Sequence, residues 1–314
     1  MNYLEKNTIL KIDGIEGMNM IEPASVDLIF ADLPYGCTNN PYDKIIPFEP
    51  MWEAIKRVRK PNAAIVLFGQ GKFFIQMAAS NIDEFRYDYT WNKVLKSGFL
   101  NAAVNPLRQH ENLAVFYAQR PTYNPQFQKG KPLHSKGNPK KSTFVNRNYD
   151  KFFLTDDSRA GETQKYPTSV LDYPVSDKDI DFYVENLDYD AQIFEVEDFL
   201  EFRKVHPSAA IHQTEKPQEL CDFIIKTYCN KGDTVLDFCC GSGSIPLSAA
   251  RNGMYYYGFD IGVNTNPKSK YYNMDWAEIT KKRIKEYEES PKQTTFDSVK
   301  YESESGEQIN FFAA

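Results

Sequence analysis

The run Ala63-Ala64-Ile65-Val66-Leu67-Phe68, bounded by Pro61-Asn62 and Gly69, contains no polar residue. A strand with one face in water alternates polar and apolar side chains, so a continuous apolar run must be covered on both faces. Helices packed on the two sides of a mostly parallel sheet provide that cover. Thr8 to Ile12 and Val26 to Ala31 read the same way, each ending at an acid, Asp13 and Asp32, and each followed by turn-forming residues. Met51 to Arg59 has helical spacing between two of these strands, and Tyr87 to Trp91 and Leu113 to Tyr117 are further strand candidates. The first 120 residues therefore read as alternating units of an open α/β sheet.

The alternation stops between about Pro121 and Pro207, a segment rich in Pro, Asn, Lys and Asp with strand-like patches at Phe152-Phe153-Leu154 and Ser169-Val170-Leu171. It resumes with a helix from Pro217 to Cys229, where proline suits the first turn. The strand Thr234 to Phe238, a glycine turn, a helix and the strand Met254 to Phe259 follow, and Asp275 to Glu289 has the pattern of a last amphipathic helix. The expected organisation is a core in two halves, 1–120 and 208–289, around an inserted module, 121–207, with a polar tail, 290–314.

Composition excludes several classes. With 41% hydrophobic and 25% charged residues, and no apolar run near the ~18 residues of a membrane helix, a globular chain is expected. Met1 to Lys6 lack the regions of a secretory signal, which points to the cytoplasm. Cys37, Cys221, Cys229, Cys239 and Cys240 show no CxxC spacing, and none of His110, His134, His206 and His212 pairs with a cysteine at ligand spacing. Neither a disulfide framework nor a metal site is expected. The net charge of -6 is unhelpful for binding phosphates, but its distribution is uneven. Arg120, Lys129, Lys131, Lys136, Lys140, Lys141, Arg147 and Lys151 face the single acid Asp150, with Tyr123, Phe127, Phe144 and Tyr149 interleaved, whereas an acidic block follows from Asp156 to Glu201. The basic window is either a solvated face or a nucleic-acid surface. Its place inside the insert favours the second, with Lys129, Lys131, Lys136, Lys140, Lys141 and Arg147 as the candidate DNA contacts.

Two segments carry chemistry. In Val235-Leu236-Asp237-Phe238-Cys239-Cys240-Gly241-Ser242-Gly243-Ser244 a strand enters a glycine turn ahead of a helix, so a ligand can approach the backbone at a helix N-terminus. Glycines also stand in such turns merely to pack a helix on a strand. About 20 residues beyond Asp237 the next strand ends at Asp260, where an acid can accept hydrogen bonds from ribose hydroxyls, and a nucleoside-containing cofactor fits. Upstream, Thr214 and Lys216 in His212-Gln213-Thr214-Glu215-Lys216-Pro217 lie at a helix start that suits a carboxylate, although plain capping by Thr214 or Glu215 explains the same residues.

The second segment is Asp32-Leu33-Pro34-Tyr35, at the end of an apolar strand where open α/β sheets collect active-site groups. An exocyclic amine is a poor nucleophile because its lone pair is delocalised into the ring, and it needs acceptors for its hydrogens. Asp32 and the carbonyl of Leu33 can serve, while Pro34 restricts the loop and Tyr35 offers a face for an extruded base.

With Asp13, Trp91-Asn92-Lys93, Pro106-Leu107-Arg108-Gln109-His110-Glu111, Tyr166 to Leu171 and Thr214-Glu215-Lys216-Pro217 in the same order, the chain resembles the β group of amino-DNA methyltransferases over most of residues 7–289. The fingerprint of that group is D-P-P-Y near the N-terminus and F-x-G-x-G near the C-terminus. Leu33 stands for its first proline and Cys239 for its phenylalanine, and neither change removes a group the chemistry needs. The resemblance implies a circularly permuted, seven-stranded Rossmann-like sheet with an inserted target-recognition module, and S-adenosyl-L-methionine as cofactor. It implies double-stranded DNA as partner, with the target base flipped out, and a homodimer as a frequent assembly. It further implies Asp32, Leu33, Pro34 and Tyr35 as catalytic residues, and Asp13, Thr214, Lys216, Asp237, Cys239, Gly241, Gly243 and Asp260 as cofactor contacts. In that group Asp at the first motif position goes mainly with adenine N6, which makes Asp32 a mark of adenine. Cytosine N4, or a non-catalytic DNA-binding protein on the same fold, are the alternatives.

Overall fold

The computed structural model describes residues 3–37, 43–97, 102–129, 163–171, 215–263 and 272–290. The expected strand Phe152–Leu154, the acids of the block from Asp156 to Glu201, Thr214, Lys131, Lys136, Lys140, Lys141, Arg147 and the tail beyond Ser290 lie outside the described residues, as does the side chain of Lys129.

Strands β1 (Thr8–Lys11), β2 (Val26–Asp32), β3 (Arg59–Gly69), β4 (Phe85–Ser97), β5 (Arg108–Phe116), β8 (Val170–Leu171), β9 (Thr234–Asp237) and β10 (Tyr255–Asp260) form one sheet of order β1-β10-β9-β2-β3-β5-β4-β8. The first five in that order run parallel, while β5 is antiparallel to both β3 and β4. The seven-stranded sheet expected from the resemblance thus has an eighth strand on its edge. Val170 and Leu171 of β8 pair with Thr90 and Trp91 of β4, so part of the span 121–207 is built into the core sheet. A separate two-stranded ribbon pairs β6 (Gln128–Lys129) with β7 (Gln164–Lys165).

Alternate residues of each central strand feed opposite cores, which is why the runs lack polar positions. Leu28, Phe30, Val66 and Phe68 pack with Leu220, Ile224 and Tyr228 of α4 (Gln218–Tyr228), Ile245 and Ala249 of α5 (Ser244–Arg251), and Ala277 and Ile284 of α6 (Trp276–Glu289). Ile29, Ala31, Ile65 and Leu67 pack on the other side with Met18 of α1 (Gly14–Asn19), Met51, Trp52 and Ile55 of α2 (Phe48–Val58), and Phe73 and Met77 of α3 (Gly71–Ser80). Helices from the first half of the chain cover one face and those from the last cover the other. Truncating a fully buried side chain such as Phe30 is worth about 3–5 kcal/mol in a core of this kind.

Asp13 lies beyond β1 rather than within a strand. Its carboxylate caps α1, accepting from the amides of Ile15 (2.9 Å) and Glu16 (3.2 Å). Helices α1 and α3 had no clear sequence signal, because α1 spans only six residues and α3 leaves Ile75 67% exposed on the same face as Lys72 and Gln76.

The sheet changes winding direction at its middle. From β9 the chain moves outward to β10, and from β2 it moves outward to β3, so β2 and β9 are the neighbours between which a cleft opens at the strand ends. Leu28 pairs with Val235 and Ile29 with Leu236. That seam sets Asp32 beside Asp237, with Asp260 at the end of β10 and Asp13 just beyond the end of β1.

Candidate active site

A cleft of about 1270 Å³ spans the seam. The expected residues Asp13, Asp32, Leu33, Pro34, Tyr35, Lys216, Asp237, Cys239, Gly241 and Asp260 all line it, although roughly 200 positions separate its two halves in the chain. Gly243 does not. Its φ of 83° needs glycine, and a Cβ there would run into the Thr280 side chain of α6, so this residue serves helix packing.

The segment from Asp32 to Tyr35 is held from several sides. Leu33 is buried among the side chains of α1 to α3, which leaves its backbone at the cleft wall. The ring of Tyr35 packs against Phe73 with 5.1 Å between centroids. Asp43 clasps the turn that follows, its two carboxylate oxygens accepting from the amides of Gly36 (2.8 Å) and Cys37 (2.9 Å). Nothing in the sequence flagged Asp43.

Asp32 sits in a polar cluster that the spacing of residues could not show. Its Oδ1 accepts from the Tyr35 hydroxyl at 2.8 Å and its Oδ2 from Lys216 Nζ at 2.6 Å. Lys216 also lies 3.5 Å from Glu111 Oε2, and Lys93 donates to Glu111 Oε1 at 3.0 Å. Phe68 and Trp91 present ring faces to the Lys216 ammonium at 4.8 and 5.9 Å. Lys216 is placed differently from the sequence expectation. It neutralises two carboxylates on the catalytic side, and α4 begins at Gln218 after Pro217, without a side-chain cap. Two buried acids hold the lysine there, because either carboxylate left without a cation in the interior would be costly. Glu215 in turn pairs with Arg283 of α6 at 2.8 Å.

The electrostatics follow from burial and pairing. Burial pushes the Asp32 carboxyl up, with Lys216 opposing and Glu111 adding to the rise. Burial alone would raise Glu111, but Lys216 and Lys93 outweigh it and hold Glu111 below its ordinary range. For Lys216 burial is outweighed by Asp32 and Glu111, and its ammonium is held above the usual lysine range. The Tyr35 hydroxyl, pushed up by burial and by both acids, stays a donor.

On the other side of the seam, the glycine turn is fixed by Asp260 and α6. Asp260 accepts from the amides of Gly241 (2.9 Å) and Gly262 (2.7 Å), Thr280 Oγ1 donates to the Gly241 carbonyl (3.1 Å), and Arg283 donates to that of Ser242 (2.6 Å). Asp237 is 2% exposed, and its carboxylate accepts from the Cys239 amide at 3.1 Å. Burial, together with Asp32 and Asp260, pushes its carboxyl well above the ordinary range. A buried acid with no cation beside it among the described residues is suited to a cationic ligand. Burial also raises the thiols of Cys239 and Cys240, which remain protonated walls of the turn. Among the described residues there is no group of His, Cys, Asp and Glu able to hold a metal ion.

The DNA methylase family profile, that of the N6-adenine and N4-cytosine enzymes, matches residues 26–270. The chain belongs to this family. The methyltransferase is 25% identical over 286 residues to the type II methyltransferase M2.DpnII of Streptococcus pneumoniae, covering 82% of this chain and 87% of that protein. Among solved structures, its fold matches that of the cytosine-N4-specific PvuII DNA methyltransferase with a TM-score of 0.51 at 13% identity, over 90% of this chain and 94% of the other. The M1.HpyAVI–SAM complex matches with a TM-score of 0.49 at 17% identity, over 88% and 98%. The Rossmann-like methyltransferase fold is that expected, and the acids around the cleft suit S-adenosylmethionine, whose sulfonium and α-ammonium are both cationic.

Proposed function

We propose that the methyltransferase modifies the N6 amine of adenine in duplex DNA, with the target base flipped into the cleft. The observation that supports this most is Asp32 itself, a carboxylate at the end of β2 that shares one cleft with the glycine turn of β9. Asp237, Asp260, Cys239 and the Gly241 backbone, with Asp13 on the cleft wall, would hold S-adenosylmethionine, which when bound would supply an electrophilic methyl group and leave as the neutral thioether. Asp32 Oδ1 and the Leu33 carbonyl accept the hydrogens of the amine, which returns its lone pair to nitrogen for direct displacement. The methylated amine then releases a proton to Asp32, whose carboxyl burial makes more basic than an exposed one. Pro34 and the Tyr35 ring bound the plane of the base. In the same reading, residues 121–207 form the target-recognition module, Lys129, Lys131, Lys136, Lys140, Lys141 and Arg147 meet phosphates, and the active assembly is a homodimer.

Single-molecule sequencing of DNA from cells expressing the chain, set beside an Asp32→Ala control, tests the assignment. N6-methyladenine at a defined site, absent from the control, is expected. N4-methylcytosine would replace the base assignment, and methylation persisting in the control would remove Asp32 from the chemistry.

A further inference from the structure

The hydrogen bonds around Asp32 close on themselves. Asp32 Oδ1 accepts from the Tyr35 hydroxyl, which also lies 3.5 Å from Glu111 Oε2. Glu111 Oε2 lies 3.5 Å from Lys216 Nζ, and Lys216 Nζ returns to Asp32 Oδ2 at 2.6 Å. Both donors that aim the Asp32 carboxylate are thus shared with one oxygen of Glu111. The other oxygen is tied to Lys93 on β4, the neighbouring strand, through the register that pairs Trp91 with Glu111. Glu111 and Lys93 are 8% and 5% exposed. Four ionisable groups in such a place are a weak source of stability, since apolar side chains of similar size would serve the fold about as well. They do fix geometry, because the ring links the catalytic loop, β5 and the segment that leads into α4.

We propose that Glu111, braced by Lys93, is a positioning residue for methyl transfer, acting through Lys216 and Tyr35 to hold the Asp32 carboxylate where the amine hydrogen must meet it. The proposal rests on Asp32 as the acceptor in amine methylation and is independent of which base carries the amine. When the amine takes Oδ1, the Tyr35 hydroxyl has Glu111 Oε2 as its second acceptor, so displacement leaves no buried donor unpaired. The groups facing Asp32 are Tyr35 from its own loop, Lys216 ahead of α4, Cys221 on α4, Glu111 on β5, and Asp237 and Cys239 at the end of β9. Of these Glu111 is an anion whose removal leaves the cations of Lys93 and Lys216 in place.

Glu111→Gln in the full chain tests this, using single-turnover transfer from labelled S-adenosylmethionine to unmethylated genomic duplex DNA, with calorimetric cofactor affinity and thermal unfolding alongside. A rate at least tenfold lower is expected, with cofactor Kd within twofold and the acid limb of the rate profile moved to lower pH, because losing the Glu111 charge eases ionisation of Asp32. Glu111→Asp, which keeps the charge, should recover part of the rate. If Glu111→Gln does not accumulate folded, Lys93→Gln carries the test, with a several-fold lower rate at unchanged cofactor affinity. A wild-type rate and pH profile in either variant overturns the proposal, and so does a rate loss that only follows the folded fraction with the profile unmoved. Transfer that survives Asp32→Ala would instead sink the reading on which it rests.

Discussion

Asp237 and Asp32 are both carboxylates that burial pushes up, but their surroundings differ. Asp32 has a lysine at 2.6 Å, whereas Asp237 has only a backbone amide within hydrogen-bonding reach among the described residues. A carboxyl whose pKa is raised by folding destabilises the fold once pH exceeds its unfolded value, so Asp237→Asn should raise the melting temperature of the free protein at pH 8. The same variant should bind S-adenosylmethionine about ten- to a hundredfold more weakly, roughly 1.4–2.8 kcal/mol by the usual conversion. A melting curve and a titration check both signs at once. Glu111 has the opposite pH behaviour, since its folded-state pKa is depressed. Its contribution is present above the ordinary glutamate range and is lost as pH falls through the lowered value. In the proposed mechanism the acceptor is ionised Asp32, so the transfer rate should fall on the acid side at a pH above that of an exposed aspartate. Asp32, Pro34 and Tyr35 could be picked out by residue type and spacing. Lys93 and Glu111 belonged to segments that carried the resemblance, yet no role attached to them, because their meeting depends on the register between β4 and β5.

At the scale of elements, apolar runs marked the central strands well, since burial on both faces leaves a one-dimensional trace. The edges left less. Antiparallel β5 has a polar first half and an apolar second half, and two-residue β8 becomes a strand only by pairing with β4. The glycine turn was read as a cofactor cradle, but its two glycines have separate tasks. Nothing lies within contact of a Cβ at Gly241, which faces the cleft, whereas Gly243 is closed off by Thr280. Gly243→Ala should therefore cost about 1–3 kcal/mol through strain and overpacking, seen as a lower denaturant midpoint. Adding Thr280→Ser should recover part of that loss, as it removes one of the crowding atoms. Equal stability of Gly243→Ala and wild type would contradict this account of the turn.

For the whole molecule, no helix of the described residues is long and apolar enough to cross a membrane, and the net charge of -6 sets the chain against the phosphates it must approach. In the proposed reading attraction falls to the local excess of Lys and Arg between 120 and 151. Reversing the charge of Lys140 and Lys141 should weaken DNA binding and flatten its dependence on salt, by a slope change of about 2 for two phosphate contacts. Affinities measured at two salt concentrations would show it. The described parts of the insert are not a free appendage. Asn124 donates to the carbonyls of Lys226 and Cys229 at the end of α4, and the Tyr123 ring lies 6.5 Å from that of Tyr228.

The seam between β2 and β9 also governs the order of events when the chain is made. Strand β2 leaves the ribosome with its apolar residues early, but the neighbour that covers one of its edges arrives only with Thr234 to Asp237. Until then the nascent sheet ends at an open edge, the kind of surface that invites pairing with another chain. Because so distant a partner completes the sheet, the pairing of β2 must wait until the segment around Thr234 to Asp237 has been made.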